Sequence, residues 1–147
     1  MEPNFKFRLE KVLEIKTKKE NEHMIYHSKI MNDKITVEKE IESLELQYDM
    51  YSQVNYLEED SFKRMIAYNY INSLYQTIQI KKDLLEKIEE KYKESLRILV
   101  VLQTERKALE ELKQKQYKKF LEQLEQEEEA LNDEFSTQTY FRNNLQN

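Results

Sequence analysis

Apolar residues recur along this chain at alternating steps of three and four, the spacing of a helix packed along another helix. From Leu9 one seam runs through Leu13, Lys16, Glu20, His23, His27, Ile30, Lys34, Val37, Ile41, Leu44, Tyr48 and Tyr51, and eight of these thirteen positions are apolar. The polar ones gather in the middle, where a neighbouring stripe of Met24, Met31 and Ile35 is expected to cover part of the gap. A second seam, Ile71, Leu74, Ile78, Lys81, Leu85, Ile88, Tyr92, Ser95, Leu99, Leu102, Arg106 and Leu109, is apolar at nine of twelve positions. Past Lys113 it slips by a four-residue step and resumes at Tyr117, Leu121, Leu124, Glu128, Leu131 and Phe135. An inserted four is a stutter, which locally unwinds a left-handed supercoil without ending the helix.

The period fails only between about Ser52 and Phe62. Asp60 or Ser61 can cap the helix that follows, because a short oxygen side chain accepts from the free amides of a first turn. One break between two helices predicts an all-α fold: an antiparallel coiled-coil hairpin, with residues 1–147 as a single domain. Its parts are a first helix over about 5–52, a tip over about 53–61, a second helix over about 61–137 and a frayed end over 138–147. At a rise of 1.5 Å per residue these helices would span roughly 70 and 115 Å. Antiparallel pairing then sets 5–52 against about 62–109. The rest of the second helix becomes an overhang of roughly 40 Å with no partner in its own chain. Its apolar seam (Tyr117, Leu121, Leu124, Leu131, Phe135) would face water, and an exposed apolar stripe usually marks a binding surface.

Composition supports long helices over a compact globule. The 147 residues are 36% charged, contain no glycine and have one proline, Pro3. Chain reversals lean on Gly, Pro, Asn and Asp, so few are expected. No cysteine is present, which excludes disulfides and thiolate chemistry. The start of the chain, MEPNFKFRLEKVLEIK, alternates charge with apolar residues and lacks the apolar core of a signal peptide. The longest strongly apolar run, Ile98 to Leu102, is far too short to span a membrane. A soluble chain without membrane insertion is expected, and a net charge of −5 offers nucleic acid no general attraction.

Charge is unevenly spread. Residues 1–19 and residues 105–119 each carry six bases against three acids, and both segments fall near the open end of the hairpin. Residues 120–135 then carry seven acids and no base. Acids near a helix C-terminus oppose its macrodipole. They meet a basic partner or form a solvated acidic end; the sequence leaves both open.

Catalytic constellations do not form. His23 and His27 share a helix face, but a zinc protease would need Glu after the first histidine, and Met24 stands there. Glu20-x-x-His23 resembles one arm of a helical di-iron site and has no second arm. The histidines are expected to be seam or surface residues, with no metal, no cofactor and no enzyme activity. Tyrosine is the one excess: six of ten (Tyr48, Tyr51, Tyr56, Tyr68, Tyr70, Tyr75) lie between Leu44 and Ile78. Some pack in the seam, but neighbours such as Tyr70 and Ile71 cannot both face inward. Rings exposed near the tip suit a partner surface, since tyrosine combines large area with a polar handle.

The FKFRLEKVLEIK start, the broken seam near residue 55, the YNYINSLYQTI stretch and the tail ELKQKQYKKFLEQLEQEEEALNDEF resemble the FliJ family of flagellar export proteins. The likeness covers nearly the whole chain. It implies a two-helix antiparallel coiled coil similar to the central stalk, the gamma subunit, of rotary ATPases. It also implies a soluble part of the bacterial type III export apparatus, cytoplasmic and peripheral at the inner membrane. In that family the open end enters the hexameric export ATPase FliI, the far end contacts the export-gate protein FlhA, and some members escort export chaperones. Carried over by pattern, the gate surface would comprise Glu40, Leu44, Gln47 and Tyr51, with Tyr48 adjoining, and Tyr70, Leu74, Thr77 and Lys81 on the second helix. Glu40 and Lys81 depart from the family's usual residue types. By position alone, Arg8, Leu13, Leu121 and Leu124 are expected at the ATPase ring. Two alternatives remain: a structural coiled coil that covers its overhang by self-association, and an export chaperone without ATPase contact.

Overall fold

The computed structural model describes residues 5–145. They form two α-helices, α1 over Glu10–Leu57 and α2 over Ser61–Leu145, packed against each other as the expected helical hairpin, with no strand among the described residues. Glu10 puts an acid in the first turn of α1 and Arg142 a base in the last turn of α2, each favourable towards the helix macrodipole.

The reversal takes three residues. Asp60 is the cap: its Oδ1 accepts from the Phe62 amide at 2.9 Å and the Lys63 amide at 3.3 Å. The Asp60 carbonyl takes the Arg64 amide at 2.9 Å, and Glu58 Oε1 takes the Asp60 amide at 3.2 Å. No described residue has a positive φ. The turn therefore needs no left-handed position, which explains how a chain without glycine reverses at all.

Element ends differ from the sequence expectation in two places. Helix α1 continues to Leu57 instead of stopping near 52, so the fold point lies nearer the C-terminus. Cross-helix partners consequently fall about a heptad further along α2 than a pairing of 5–52 with 62–109 would give. Lys16 meets Glu105, Glu40 meets Lys81 and Tyr51 meets Tyr70. At the other end α2 runs on to Leu145, where fraying from 138 was expected. Nothing there stops a helix: no Gly or Pro intervenes, and the hydroxyls of Thr137 and Thr139 fold back onto the carbonyls of Asp133 and Phe135. Residues 146 and 147 lie outside the described residues.

Contacts gather into two compact units, each holding part of both helices: Lys19–Val101, and the described residues up to Lys18 together with those from Leu102 onward. In the first of these the buried apolar residues are Ile30, Val37, Ile41, Leu74 and Ile78, all seam positions. Met24, Met31 and Ile35 do not close the polar gap, being 44%, 45% and 40% exposed. A polar layer fills it instead. Ser95, only 2% exposed, sets its Oγ 2.9 Å from His27 Nδ1 and 3.1 Å from His23 Nε2. His23 Nε2 also lies 2.8 Å from the Ser95 carbonyl oxygen, which can only accept, so that nitrogen carries a proton and donates. The Tyr92 and His27 rings lie 4.8 Å apart, and Lys34 Nζ sits over the Tyr92 ring, 4.9 Å from its centroid. Both histidines are thus seam residues held by hydrogen bonds.

In the other unit Phe7 and Leu13 are buried. Phe5 packs edge-on against Tyr117 at 5.1 Å and at a tilt against Phe120 at 5.5 Å. Glu10 pairs with Lys113 at 2.8 Å, and Lys16 with Glu105. These contacts correct the expected overhang. The segment after Leu109 is not bare, because Phe5 covers Tyr117 and Phe120, and Phe120 rather than Leu121 turns inward after the stutter. Every described residue past Leu124 is exposed.

Candidate partner-binding surfaces

One surface lies in the Lys19–Val101 unit, on the α1 and α2 faces nearest the turn. Steps of four, three and four carry α1 from Glu40 through Leu44 and Gln47 to Tyr51 on one face. Thr36, Lys39, Glu40, Ser43 and Leu44 of α1 and Thr77 and Lys81 of α2 line a shallow groove between the helices. Lys81 Nζ stands 2.8 Å from Glu40 Oε2, close enough for an ion pair though off the direction of a hydrogen bond. Nearer the turn, Tyr51, Lys63, Ile66, Ala67 and Tyr70 line a second hollow, with the Tyr51 and Tyr70 rings in a T-shaped contact at 4.8 Å.

Of the residues picked out from sequence, Glu40, Leu44, Thr77 and Lys81 come together in one groove, and Tyr51 touches Tyr70. Gln47 is exposed beside them. Two stand apart. Leu74 is 6% exposed and belongs to the core, so its side chain acts through the packing of the helices. Tyr48 is half-buried and faces the opposite groove, with Glu45, Asp49, Tyr75, Gln79 and Lys82. Its ring lies 6.4 Å from that of Tyr75. The tyrosine excess is mostly surface: Tyr56, Tyr68 and Tyr75 are 85%, 62% and 51% exposed, and Tyr51 and Tyr70 nearly half.

A second surface lies in the unit containing both ends of the described chain. Arg8 is exposed, whereas Leu13 is buried and only edges a groove with Lys107, Glu110, Glu111, Lys113, Gln114 and Lys115. Leu121 is 39% exposed and Leu124 half-buried. Beyond them Leu131 and Phe135, at 64% and 70%, extend the apolar stripe onto a helix that nothing covers. Sequence reasoning missed Phe5, Phe7 and Phe120, which brace this unit. The F-x-F spacing was visible, but which α2 ring it would meet depends on the register of the hairpin.

No group of three or more His, Cys, Asp and Glu side chains fit for a metal occurs among the described residues, and no helix there is long and apolar enough to cross a membrane. What the fold defines is a paired-helix protein whose chemistry lies in exposed apolar and charged faces, the make-up of an assembly component. A family model described as "Flagellar FliJ protein" matches residues 5–145. The chain belongs to the FliJ family, and so is a component of flagellar protein export. No curated protein and no solved structure matches it.

Proposed function

We propose that this chain is a nonenzymatic stalk that links the hexameric export ATPase FliI to the export gate FlhA at the cytoplasmic face of the inner membrane, and that it escorts export chaperones. The observation that carries the proposal is the run of α2 past Leu124, wholly exposed yet bearing Leu131 and Phe135. A helix that offers large apolar side chains to water over six turns is supported by a partner. With Arg8, Leu121 and Leu124, and Leu13 packed beneath, it supplies the ATPase-ring surface, and the seven acids between 120 and 135 favour a basic lining. Glu40, Leu44, Gln47, Tyr51, Tyr70, Thr77 and Lys81 supply the gate surface, with Leu74 beneath and Tyr48 adjoining.

The test mixes the purified chain with the export ATPase of the same organism and follows ATP hydrolysis across a concentration series. Stimulation that saturates near one chain per ATPase hexamer supports the stalk. A chain that leaves hydrolysis unchanged and sediments as a dimer is a self-associating coiled coil. One that binds chaperones without touching the ATPase is an export chaperone.

A further inference from the structure

The hollow between Tyr51 and Tyr70 differs from the three other grooves described above, each of which mixes acids with bases. Here Tyr51, Ile66, Ala67 and Tyr70 supply an apolar lining, and Lys63 is its single charged residue. The volume, about 490 Å³, has room for a bulky apolar group. Ile66 is 53% exposed, so this apolar surface now faces water. The T-shaped contact between the two tyrosine rings holds each in place, and the hollow is formed before anything enters it.

The Lys63 ammonium forms no ion pair among the described residues. The turn places three acids close by in sequence, yet none of them lines the hollow. Two are engaged elsewhere: Glu58 accepts from the Asp60 amide, and Asp60 from the amides of Phe62 and Lys63. A base in the first turn of a helix also works against its macrodipole. Lys63 is thus an uncompensated cation at the edge of an apolar hollow. Both flanking elements are helices whose backbone groups are already used, so recognition here falls to side chains.

We infer that this hollow is the anchor point of the gate contact, taking one large apolar side chain of the partner with a carboxylate beside it that pairs with Lys63. Tyr51 and Tyr70 belong both to the hollow and to the gate surface, so the two are continuous. Interfaces draw most of their energy from a few such anchors seated in pockets. An aromatic anchor would meet the tyrosine rings edge to face. The inference rests on this side of the hairpin being the gate surface.

The test removes the charge and fills the hollow in separate variants. Binding of the full chain to purified FlhA from the same organism is measured by titration calorimetry at low salt, beside a thermal melt of each variant. Lys63→Gln should bind about threefold or more weakly, and Lys63→Glu at least about tenfold, because like charges then meet across the contact. Arg64→Gln is the control for net charge: an exposed base next in sequence that does not line the hollow, it should change affinity less than about twofold. Ala67→Leu occupies the anchor's place and should also weaken binding at least about tenfold, with no fall in melting midpoint. Lys63→Gln that weakens no more than Arg64→Gln, or Ala67→Leu that binds like wild type, overturns the inference and leaves the gate reading standing. Absence of binding by the wild type overturns the gate reading, and this inference with it.

Discussion

Ser95 is the most buried side chain described, and two imidazoles share its hydroxyl. Ser95→Ala removes the partner of His27 Nδ1 but leaves His23 its bond to the residue 95 carbonyl. One side-chain hydrogen bond with a half-buried partner is therefore lost, and leaving that partner unsatisfied costs about 1–2 kcal/mol. Alanine recovers about 0.5 kcal/mol of helix propensity, so the net loss should be about 1 kcal/mol. For a chain of this length that lowers the melting midpoint by about 4 °C. The control is Ser28→Ala, an exposed position on α1, which gains the propensity and loses nothing. The decisive comparison is His23→Leu, His27→Leu and Ser95→Ala combined. With every polar partner gone no group is left unsatisfied, and the midpoint should return to the wild-type value or rise. Thermal unfolding followed by far-ultraviolet circular dichroism reads all three. If Ser95→Ala melts like Ser28→Ala, or the triple variant melts lower than Ser95→Ala, the hydrogen-bonded layer does not contribute as described.

Leu74→Ala and Tyr70→Ala should separate core from surface: the first loses about 2–3 kcal/mol through its cavity, the second about 1 kcal/mol from the ring contact with Tyr51. Only Tyr70→Ala should impair partner binding out of proportion to stability, as paired melts and pull-downs would reveal. Phe7→Ala, at a side chain 7% exposed, should cost about 3 kcal/mol and speed amide exchange in Leu13 and its neighbours, read by hydrogen exchange. Ending the chain after Leu124 should leave the melting midpoint within about 2 °C of wild type, because every described residue removed is exposed, while abolishing ATPase stimulation.

The hairpin and its seams were legible because burial follows period. Of the thirteen seam positions that spacing picks out from Leu9 to Tyr51, Leu13, Ile30, Val37 and Ile41 are core. The charged or polar seam members are also shielded: Lys16 and Lys34 lie half-buried and Glu20 is buried. Register was not legible. It depends on where one turn falls, and an Asp cap three residues before ordinary helix formers is a weak local signal. A small error there moves every cross-helix partner at once, which is why Phe5 was not matched to Tyr117. The candidate gate groove was legible as two sets of spaced residues, while the burial of Leu74 and the turning away of Tyr48 depend on packing angles that spacing does not specify.

The helical run from residue 125 to 145 has one further consequence. It is held by interactions within its own helix, and isolated helices of about 20 residues in water lie close to the helix–coil balance. A partner that closes around it must complete the ordering of a segment that is helical only part of the time, so part of the conformational entropy still opposes association. Affinity then becomes tunable from outside the interface. Substituting Ala for Asn132 or Thr137, which favours helix without touching the apolar stripe, would raise the ordered fraction and tighten binding with no contact added.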